Sequence, residues 1–245
     1  MTAPRRFGEP REHHDSIDST NRRAKELAAG GAPSGTVVTA AEQTSGRGRG
    51  GRRWVAPSGA ALLYSAILRP LELVHLLLPL AVPLAVCEAC ESLAPVECRV
   101  KWPNDIWVNE RKLAGVLIES RPPEWAVIGV GINLSIEAGE FPRELRWPAV
   151  SLGAGVTPAR MGAALDAALG DWTDAPAERV LAEFGARDAL AGCEIEWQGG
   201  PAEGGRRGAA EGIDERGNLL VRTADGPVAL GSGEVHLLKG FSPPS

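Results

Sequence analysis

The sequence predicts an α+β fold, in which a mixed β-sheet flanked by helices is followed by a smaller all-β region. Two patterns predict it. Strand-like apolar runs alternate with helical segments up to residue 190, and from residue 191 short alternating segments are separated by glycine turns. Of the 245 residues, 44% are hydrophobic, which is enough for one main core and a small second domain. We therefore expect two domains, 1–190 and 191–245.

Four helices are expected in the first domain from apolar residues at helical spacing. They cover residues 21–29, 73–93, 159–172 and 177–190. The first helix follows Ser19 and Thr20, whose side chains can accept hydrogen bonds from the free N–H groups of the first turn, and it ends at Gly30. The second helix contains two prolines, which should bend it.

Six strands are expected in the same domain from β-branched and apolar runs. They cover residues 36–41, 62–68, 99–102, 106–108, 113–119 and 125–134. Residues 137–157 are rich in glycine and proline and should form a loop. The second domain has the short, evenly spaced segments of a small β-barrel or sandwich, with GGPAEGGRR at 199–207 as a flexible turn.

The distribution of apolar residues indicates where in the cell the protein is expected to act. The longest apolar run, 76–87, is shorter than the roughly 18 residues of a membrane span and contains prolines, so we expect a buried helix and no membrane partner. The N-terminal segment is polar, with His13 and His14 in a solvated leader, and it has no apolar stretch of the signal-peptide type. We therefore expect a cytoplasmic protein.

The cysteines do not suggest a disulfide framework. The chain has only four cysteines, and they are scattered. Cys87 and Cys90 form a C-x-x-C pair within an apolar helical pattern. No histidine or second pair lies near them in the sequence to complete a zinc site. Core packing is therefore expected for these side chains, with a redox or metal role as the alternative.

The stretch TSGRGRGGRRW at 44–54, here called the Arg/Gly loop, concentrates four arginines in a chain of net charge −5. Its glycines let backbone N–H groups face a ligand, and its guanidinium groups are suited to carboxylate and phosphate. The spacing differs from that of the phosphate loop and of the dinucleotide fingerprint. We expect a polyanion as the ligand and, because the arginines repel one another, a loop that is disordered until the ligand binds. A basic loop that binds nucleic acid is the alternative.

Two of the four lysines flank a WPND turn within residues 99–119. Lys112 has the same parity as Ala114 and Val116, so it should project from the same face of its strand. A lysine directed across an apolar surface is costly unless an anion meets it. Lys101 and Lys112 are therefore candidate anion ligands, although each alone could be a strand-end residue that reaches solvent.

The strand VIGVGINLS at 127–135 carries Gly129 and Gly131, which leave one face without side chains. A flat ligand could lie against them. Close packing of a helix on the strand would require the same residues.

Taken in order, these stretches resemble the biotin protein ligase family. The motifs are DSTN (18–21), GRGR-x-GR-x-W (46–54), KWPND (101–105), RKLAG (111–115) and GxGIN (129–133). The resemblance implies a class II synthetase-like catalytic domain followed by an SH3-like β-barrel. It also implies activation of biotin with ATP and Mg²⁺ to biotinyl-5'-AMP, and transfer of biotin to a lysine of a biotin carboxyl carrier protein.

The resemblance also implies the roles of individual residues. Biotin would be held by Ser19, Thr20, Asn21, Gln43, Gly46, Arg47, Gly48, Arg49, Lys112, Gly115 and Gly129. ATP would be held by Arg49, Arg52, Trp54, Lys101, Asn104, Lys112 and Asn133. Catalysis would fall to Arg47, Arg49 and Lys112, and Asp105 would be a weak Mg²⁺ ligand.

The chain departs from the family pattern at Gly50, where a basic residue is common. Only about fifteen polar residues precede the first motif, so we expect no N-terminal helix-turn-helix domain, no DNA binding and no role in transcription. The alternative enzyme is a lipoate or octanoate transfer protein on a similar fold, and the alternative of another class is a nucleic-acid-binding module. The protein could be a monomer or a homodimer.

Overall fold

The computed structural model describes residues 5–197, except 143–144, 146 and 154, and residues 206–237, except 232 and 234. The helices are α1 (Thr20–Ala29), α2 (Leu78–Glu91), α3 (Pro158–Trp172) and α4 (Ala177–Arg187). The strands of the first sheet are β1 (Arg11–Ile17), β2 (Val37–Gln43), β3 (Ala61–Leu68), β4 (Arg99–Lys101), β5 (Asp105–Val108), β6 (Arg111–Arg121) and β7 (Trp125–Asn133). Those of the second sheet are β8 (Glu194–Trp197), β9 (Arg206–Ile213), β10 (Leu219–Thr223), β11 (Gly226–Leu230) and β12 (Val235–Leu237).

The first sheet has seven strands in the order β1-β2-β3-β7-β6-β5-β4. Strands β1 and β2 are parallel, and the other neighbours are antiparallel, so the sheet is mixed as predicted. Helices α2, α3 and α4 pack with one another and with this sheet around the main apolar core. Helix α1 packs with β2, β3 and β7 around a smaller cluster that includes Ala24, Val38 and Val127.

Strand β1 corrects the expectation of a solvated leader at residues 11–17. It pairs with β2 in register from Arg11–Val37 to Ile17–Gln43. Its side chains are exposed or half-buried, and the Nδ1 atom of His13 lies 2.9 Å from Thr39 Oγ1. Because an edge strand of this kind buries little apolar surface, its sequence lacks the hydrophobic alternation by which strands are recognised.

The apolar stretch at 73–93 forms a buried helix, as predicted, although its first turn, Leu73–Leu77, is a 3-10 helix. Residues Leu73–Glu91 have the length and apolar composition of a membrane span, but 72% of the apolar window is buried inside the fold. Pro79 lies in the first turn of α2, where a missing N–H costs little, and Pro83 lies inside the helix. The stretch is thus a core helix that packs against α3.

The second sheet has the order β11-β10-β9-β8-β12 and is antiparallel throughout. A closed barrel would require β11 to pair with β12. Among the described residues of this sheet, these two strands form no such ladder. The stretch at 199–207 lies mostly outside the described residues. Backbone carbonyls of β12 and of the turn between β9 and β10 accept hydrogen bonds from Lys101 Nζ (to Val235, 2.8 Å) and Trp102 Nε1 (to Gly217, 3.1 Å). The two sheets also share one apolar core.

The four cysteines are buried free thiols, as expected for core residues. Cys87 and Cys90 lie on α2, and the neighbouring Cys98 thiol and burial raise the pKa of both thiols. Among the described residues, no group of three or more His, Cys, Asp and Glu side chains could hold a metal ion.

Candidate active site

A cavity of about 590 Å³ lies over β6 and β7, bounded by the start of α1, the Arg/Gly loop and residues 141–142, 145, 147 and 149. Most of the predicted site residues line it. These are Ser19, Thr20, Asn21, Gln43, Arg47, Gly48, Arg49, Arg52, Trp54, Asn104, Asp105, Lys112, Gly115, Gly129 and Asn133. Only Gly46 and Lys101 of the predicted set are absent from its lining. The structure therefore brings together motifs that are more than 100 residues apart in the chain.

One end of the cavity carries a row of hydrogen-bonded polar side chains at the start of α1. Ser19 is the N-cap of the helix, and its side chain accepts from Arg22 N. The Gln43 side-chain oxygen accepts from the Thr20 N–H at 2.8 Å and lies 3.1 Å from the Thr20 hydroxyl. Ser65 Oγ, fully buried on β3, lies 2.8 Å from Thr20 Oγ1 and donates to Asn21 Oδ1 at 2.6 Å. The row is therefore fixed in orientation before any ligand binds.

The floor of the cavity consists of glycines that give space to neighbouring side chains. A Cβ atom at Gly129 would lie 2.0 Å from Asn21 Oδ1, and one at Gly131 would lie 2.5 Å from the Trp54 indole. One at Gly115 would lie 3.3 Å from the same indole. The missing Cβ atoms thus allow the Asn21 amide and the Trp54 ring to lie directly on β6 and β7. Gly129 therefore lies against the first turn of α1 and Gly131 against Trp54, and a flat ligand on this face stays a prediction.

The Arg/Gly loop has a defined backbone path. Arg47 and Arg53 form an antiparallel bridge, Gly48 N donates to Arg52 O at 2.8 Å, and residues Arg49–Gly51 form a 3-10 turn. Gly50 has φ +63° and Gly51 φ +76°, values that glycine adopts without strain.

That the loop becomes ordered only when its ligand binds stays a prediction. Three of the four arginines in the loop donate hydrogen bonds to nearby acceptors. Arg47 bonds to Glu119 at 3.0 Å, Arg52 to Arg49 O at 3.1 Å and Arg53 to Thr44 O at 3.1 Å. Their mutual repulsion is therefore offset locally. Arg49 is half-buried in the cavity wall, where burial and the neighbouring Arg52 charge lower its pKa while Asp105 opposes this.

Lys112 and Asp105 form an ion pair in the cavity wall, with Lys112 Nζ 2.6 Å from Asp105 Oδ1. The Lys112 ammonium lies 3.4 Å from the position of a Cβ at Gly115 and 5.9 Å from the centre of the Trp54 ring. It therefore faces the glycine floor, and the expectation that it shares a face with Ala114 is wrong. A β-bulge is the reason, because Ile106 pairs with Ala114 whereas Trp107 pairs with Lys112, which shifts the alternation by one residue.

Asn104 and Asn133 line the cavity but use their amide groups to hold backbone. Asn104 Nδ2 donates to Val116 O at 2.7 Å. Asn133 Nδ2 donates to Val150 O at 3.1 Å, and the backbone of Lys112 bonds to Pro148 O and Val150 N on either side. The segment 148–150 is thereby fastened beside Lys112. A role of either asparagine toward ATP stays a prediction.

Lys101 and Gly46 lie outside the cavity. Lys101 is 4% exposed, bonds to Val235 O and lies 5.7 Å from the ring centres of both Trp107 and Trp147. Its bond to Val235 O connects the two sheets, and its neighbour Trp147 lines the cavity. Gly46 accepts from Trp54 N at the base of the Arg/Gly loop, where a Cβ would lie 2.3 Å from Trp54 O.

Several residues near the cavity were not expected from the sequence. They are Ser65, Glu119 and five residues of the predicted loop that line the cavity, Phe141, Pro142, Leu145, Trp147 and Ala149. Glu119 could have been found, because Gly115, Leu117 and Glu119 share a face of β6 by simple alternation. These five loop residues gave no signal beyond the glycine and proline content of residues 137–157.

Known families match both parts of the chain. Residues 14–133 match the biotin/lipoate A/B protein ligase family, and residues 206–238 match the biotin protein ligase C-terminal domain. The chain is 33% identical over 237 residues to the biotin acetyl-CoA-carboxylase ligase of Mycobacterium tuberculosis, covering 89% of this chain and 86% of that protein. It is 41% identical over 147 residues to the bifunctional ligase/repressor BirA of Bacillus subtilis, covering 57% of this chain and spanning only 45% of that protein.

Among solved structures, the biotin protein ligase of Aquifex aeolicus in complex with biotin and ATP is similar with a TM-score of 0.75 and 28% identity. The similarity covers 94% of this chain and 99% of that chain. Fold and site together thus define the class as that of the biotin and lipoate ligases. With the C-terminal match and the relative from M. tuberculosis, the chain belongs to the biotin protein ligase family.

Proposed function

We propose that the protein activates biotin with ATP to form biotinyl-5'-AMP and transfers biotin to a lysine of a biotin carboxyl carrier domain. One observation carries the proposal. Three sets of groups face a single cavity: the polar row at Thr20 and Asn21, the guanidinium groups of the Arg/Gly loop and the ammonium of Lys112. A substrate with a neutral polar head and a carboxylate tail fits this order of groups.

In the first step, an oxygen of the biotin carboxylate attacks the α-phosphorus of ATP, the bond to the β-phosphate oxygen breaks, and pyrophosphate leaves. Both reactants are anions, so cations must neutralise them and hold them in line. We assign Lys112, Arg47 and Arg49 to this task at the junction of carboxylate and α-phosphate. To contact the substrate, the Lys112 ammonium has to give up its ion pair with Asp105.

The other assignments follow the order of groups along the cavity. Ser19, Thr20, Asn21 and Gln43 would hold the biotin ring system, over Gly115 and Gly129. Arg52 and Asn104 would contact the phosphates, and Trp54 and Asn133 would contact adenine. Mg²⁺ would enter with the ATP phosphates, a coordination in which the protein contributes only one or two carboxylates, and Asp105 is the carboxylate on the cavity wall.

In the second step, the amine of the carrier lysine attacks the acyl carbon of the adenylate, loses a proton and releases AMP. Phe141, Pro142, Leu145 and the Arg/Gly loop line the cavity, and we propose that they shield the adenylate from water until the carrier arrives. That the second sheet closes into an SH3-like barrel, that the protein acts in the cytoplasm, and that it works as a monomer or homodimer remain parts of this proposal.

The test is to incubate the protein with biotin, MgATP and a carrier domain. We expect release of pyrophosphate and a mass increase on the carrier lysine that corresponds to biotin. Lys112→Ala and Arg49→Ala should each slow adenylate formation by roughly 10² to 10³, as for the loss of one preorganised charge-stabilising donor. Arg111→Ala, at the exposed neighbour of Lys112, is the matched control and should leave the rate unchanged.

Substrate competition separates this proposal from the alternatives. Lipoate in place of biotin should give no adenylate, and the match of residues 206–238 to a biotin protein ligase domain favours that outcome. Preferred use of lipoate would identify a lipoate ligase instead. Steep salt-dependent binding to RNA or DNA, unaffected by Lys112→Ala, would support the nucleic-acid-binding alternative.

A further inference from the structure

Glu119 lies behind the cavity and joins three of its walls. Its Oε1 atom accepts from Lys25 Nζ at 2.7 Å and from Arg47 Nη1 at 3.0 Å, and its Oε2 atom accepts from Asn21 Nδ2 at 3.1 Å. One carboxylate on β6 thus holds α1, through two of its side chains, and the Arg/Gly loop. Glu119 does not itself line the cavity.

The carboxylate fixes which way the Asn21 amide points. Because an ionised carboxylate only accepts hydrogen bonds, the NH₂ group of Asn21 must face it. The same NH₂ group donates to Leu117 O at 3.2 Å, which leaves Asn21 Oδ1 to accept from Ser65 Oγ. Because Ser65 Oγ gives its one proton to Asn21 Oδ1, it can only accept from the Thr20 hydroxyl 2.8 Å away, so the orientation passes on to Thr20.

The carboxylate also serves as the shared anionic partner of two cations that lie close to each other. Lys25 Nζ and Arg47 Nη1 both contact the same oxygen atom of Glu119. Burial raises the pKa of Glu119, but hydrogen bonds from Lys25 and Asn21 and the charges of Lys25 and Arg47 outweigh it, so the net pKa lies below its usual value. The group is therefore ionised at neutral pH, and Arg47 has an anionic partner before any substrate arrives.

We propose that Glu119 is a positioning residue that fastens the Arg/Gly loop to the sheet through Arg47 and sets the orientation of Asn21 for the ligand. Without its charge, Arg47 loses the bond that holds the first arm of the loop, and the Asn21 amide can rotate. The effect on biotin rests on the proposed function. The effect on the loop does not.

Limited trypsin digestion of the ligand-free protein tests the loop directly, because trypsin cleaves after arginine. In Glu119→Gln, initial cleavage after Arg49, Arg52 and Arg53 should be roughly 10-fold faster than in the wild type, as expected for a lost charged hydrogen bond. Glu124→Gln, at an exposed glutamate paired with Arg121 on the β6–β7 hairpin, is the matched control. If the initial cleavage rate of Glu119→Gln lay within about two-fold of that of Glu124→Gln, the proposal would be overturned.

A second variant keeps the test valid if Glu119→Gln is poorly folded. Arg47→Gln breaks the same pair from the loop side and should accelerate cleavage at the same three sites. The double variant should cleave no faster than either single variant, because the two residues act as one pair. Additive acceleration would show that Glu119 acts on the loop by another route.

Biotin titration distinguishes positioning from general destabilisation. Glu119→Gln should weaken biotin binding roughly 10-fold while the KM for ATP stays within two-fold. Lys25→Gln leaves Asn21 and Arg47 bound to the carboxylate and should weaken biotin binding much less. If Lys25→Gln weakened biotin binding as much as Glu119→Gln, Glu119 would only anchor α1, and the proposal would be overturned. If the wild type bound no biotin, the proposed function would fail, and the trypsin experiment would still decide the role of Glu119.

Discussion

At Gly129, a methyl group would lie 2.0 Å from Asn21 Oδ1, far inside van der Waals contact. Gly129→Ala should therefore push the Asn21 amide away from the sheet and break its bond to Ser65. We expect biotin affinity to fall roughly 5- to 100-fold, corresponding to about 1 to 3 kcal/mol for disrupted buried hydrogen bonds. Isothermal titration calorimetry with biotin measures this change.

Gly185→Ala is the control for that substitution. Gly185 lies exposed on α4, and a Cβ atom there would meet no atom within 4 Å. Alanine should be neutral or slightly stabilising at this helical position and leave biotin affinity unchanged. Wild-type affinity in Gly129→Ala would mean that the Asn21 amide does not contribute to the biotin site.

At the scale of elements, the sequence predicted what depends on local signals. Helix α1 follows from its Ser19 cap and its terminal glycine, and β3 and β7 follow from continuous apolar runs, because both faces of these strands are buried. Strand β1 could not be predicted, since its neighbour in space lies more than twenty residues away and its own side chains are polar.

The site shows the same division. Glycines and cations marked separate candidate stretches, and the resemblance to the biotin protein ligase family predicted which residues of these stretches meet in one site. The direction of Lys112 could not be predicted, because it depends on a β-bulge set by pairing with β5. Lys101 resembled Lys112 in the sequence, yet it is turned toward the second sheet, whose approach to β4 is a tertiary property.

The junction between α4 and β4 should make stability depend on pH. Asp188 follows α4 and is 5% exposed; burial raises the pKa of its carboxyl to about 6, while a hydrogen bond from Leu190 N opposes this. In the unfolded chain it titrates near pH 3.9. Between these values the folded state binds more protons, so its contribution to stability is complete below about pH 4 and is lost as pH rises through about 6.

Asp188→Asn removes this titration. Relative to the wild type, its free energy of unfolding should therefore rise by roughly 2 kcal/mol from pH 4 to pH 7. Urea unfolding at several pH values measures the difference, in which the titration of other groups cancels. Asp171→Asn, at an exposed position of α3, should show no such trend. A constant difference between Asp188→Asn and the wild type would exclude Asp188 as a source of pH dependence.

At the scale of the whole molecule, the two predicted domains share one apolar core. Leu165 and Phe184 of the first and Leu219 and Val221 of the second belong to the same buried cluster. Trp102 Nε1 also bonds to Gly217 O across the boundary. Because neither sheet buries its apolar face alone, we expect a single cooperative unfolding transition, with equal calorimetric and van't Hoff enthalpies.

Two tryptophan substitutions test this expectation. Trp102→Phe removes the hydrogen bond between the sheets, and Trp172→Phe removes a comparable bond, 2.7 Å long, from Trp172 Nε1 to Glu88 within the first domain. Each should lower the Tm of the same transition by roughly 2 to 8 °C, since each loses about 1 to 2 kcal/mol in a chain of this size. Two calorimetric transitions, one moved only by Trp102→Phe and the other only by Trp172→Phe, would show that residues 1–190 and 191–245 unfold independently. In that case the shared core would contribute little to the stability of either part.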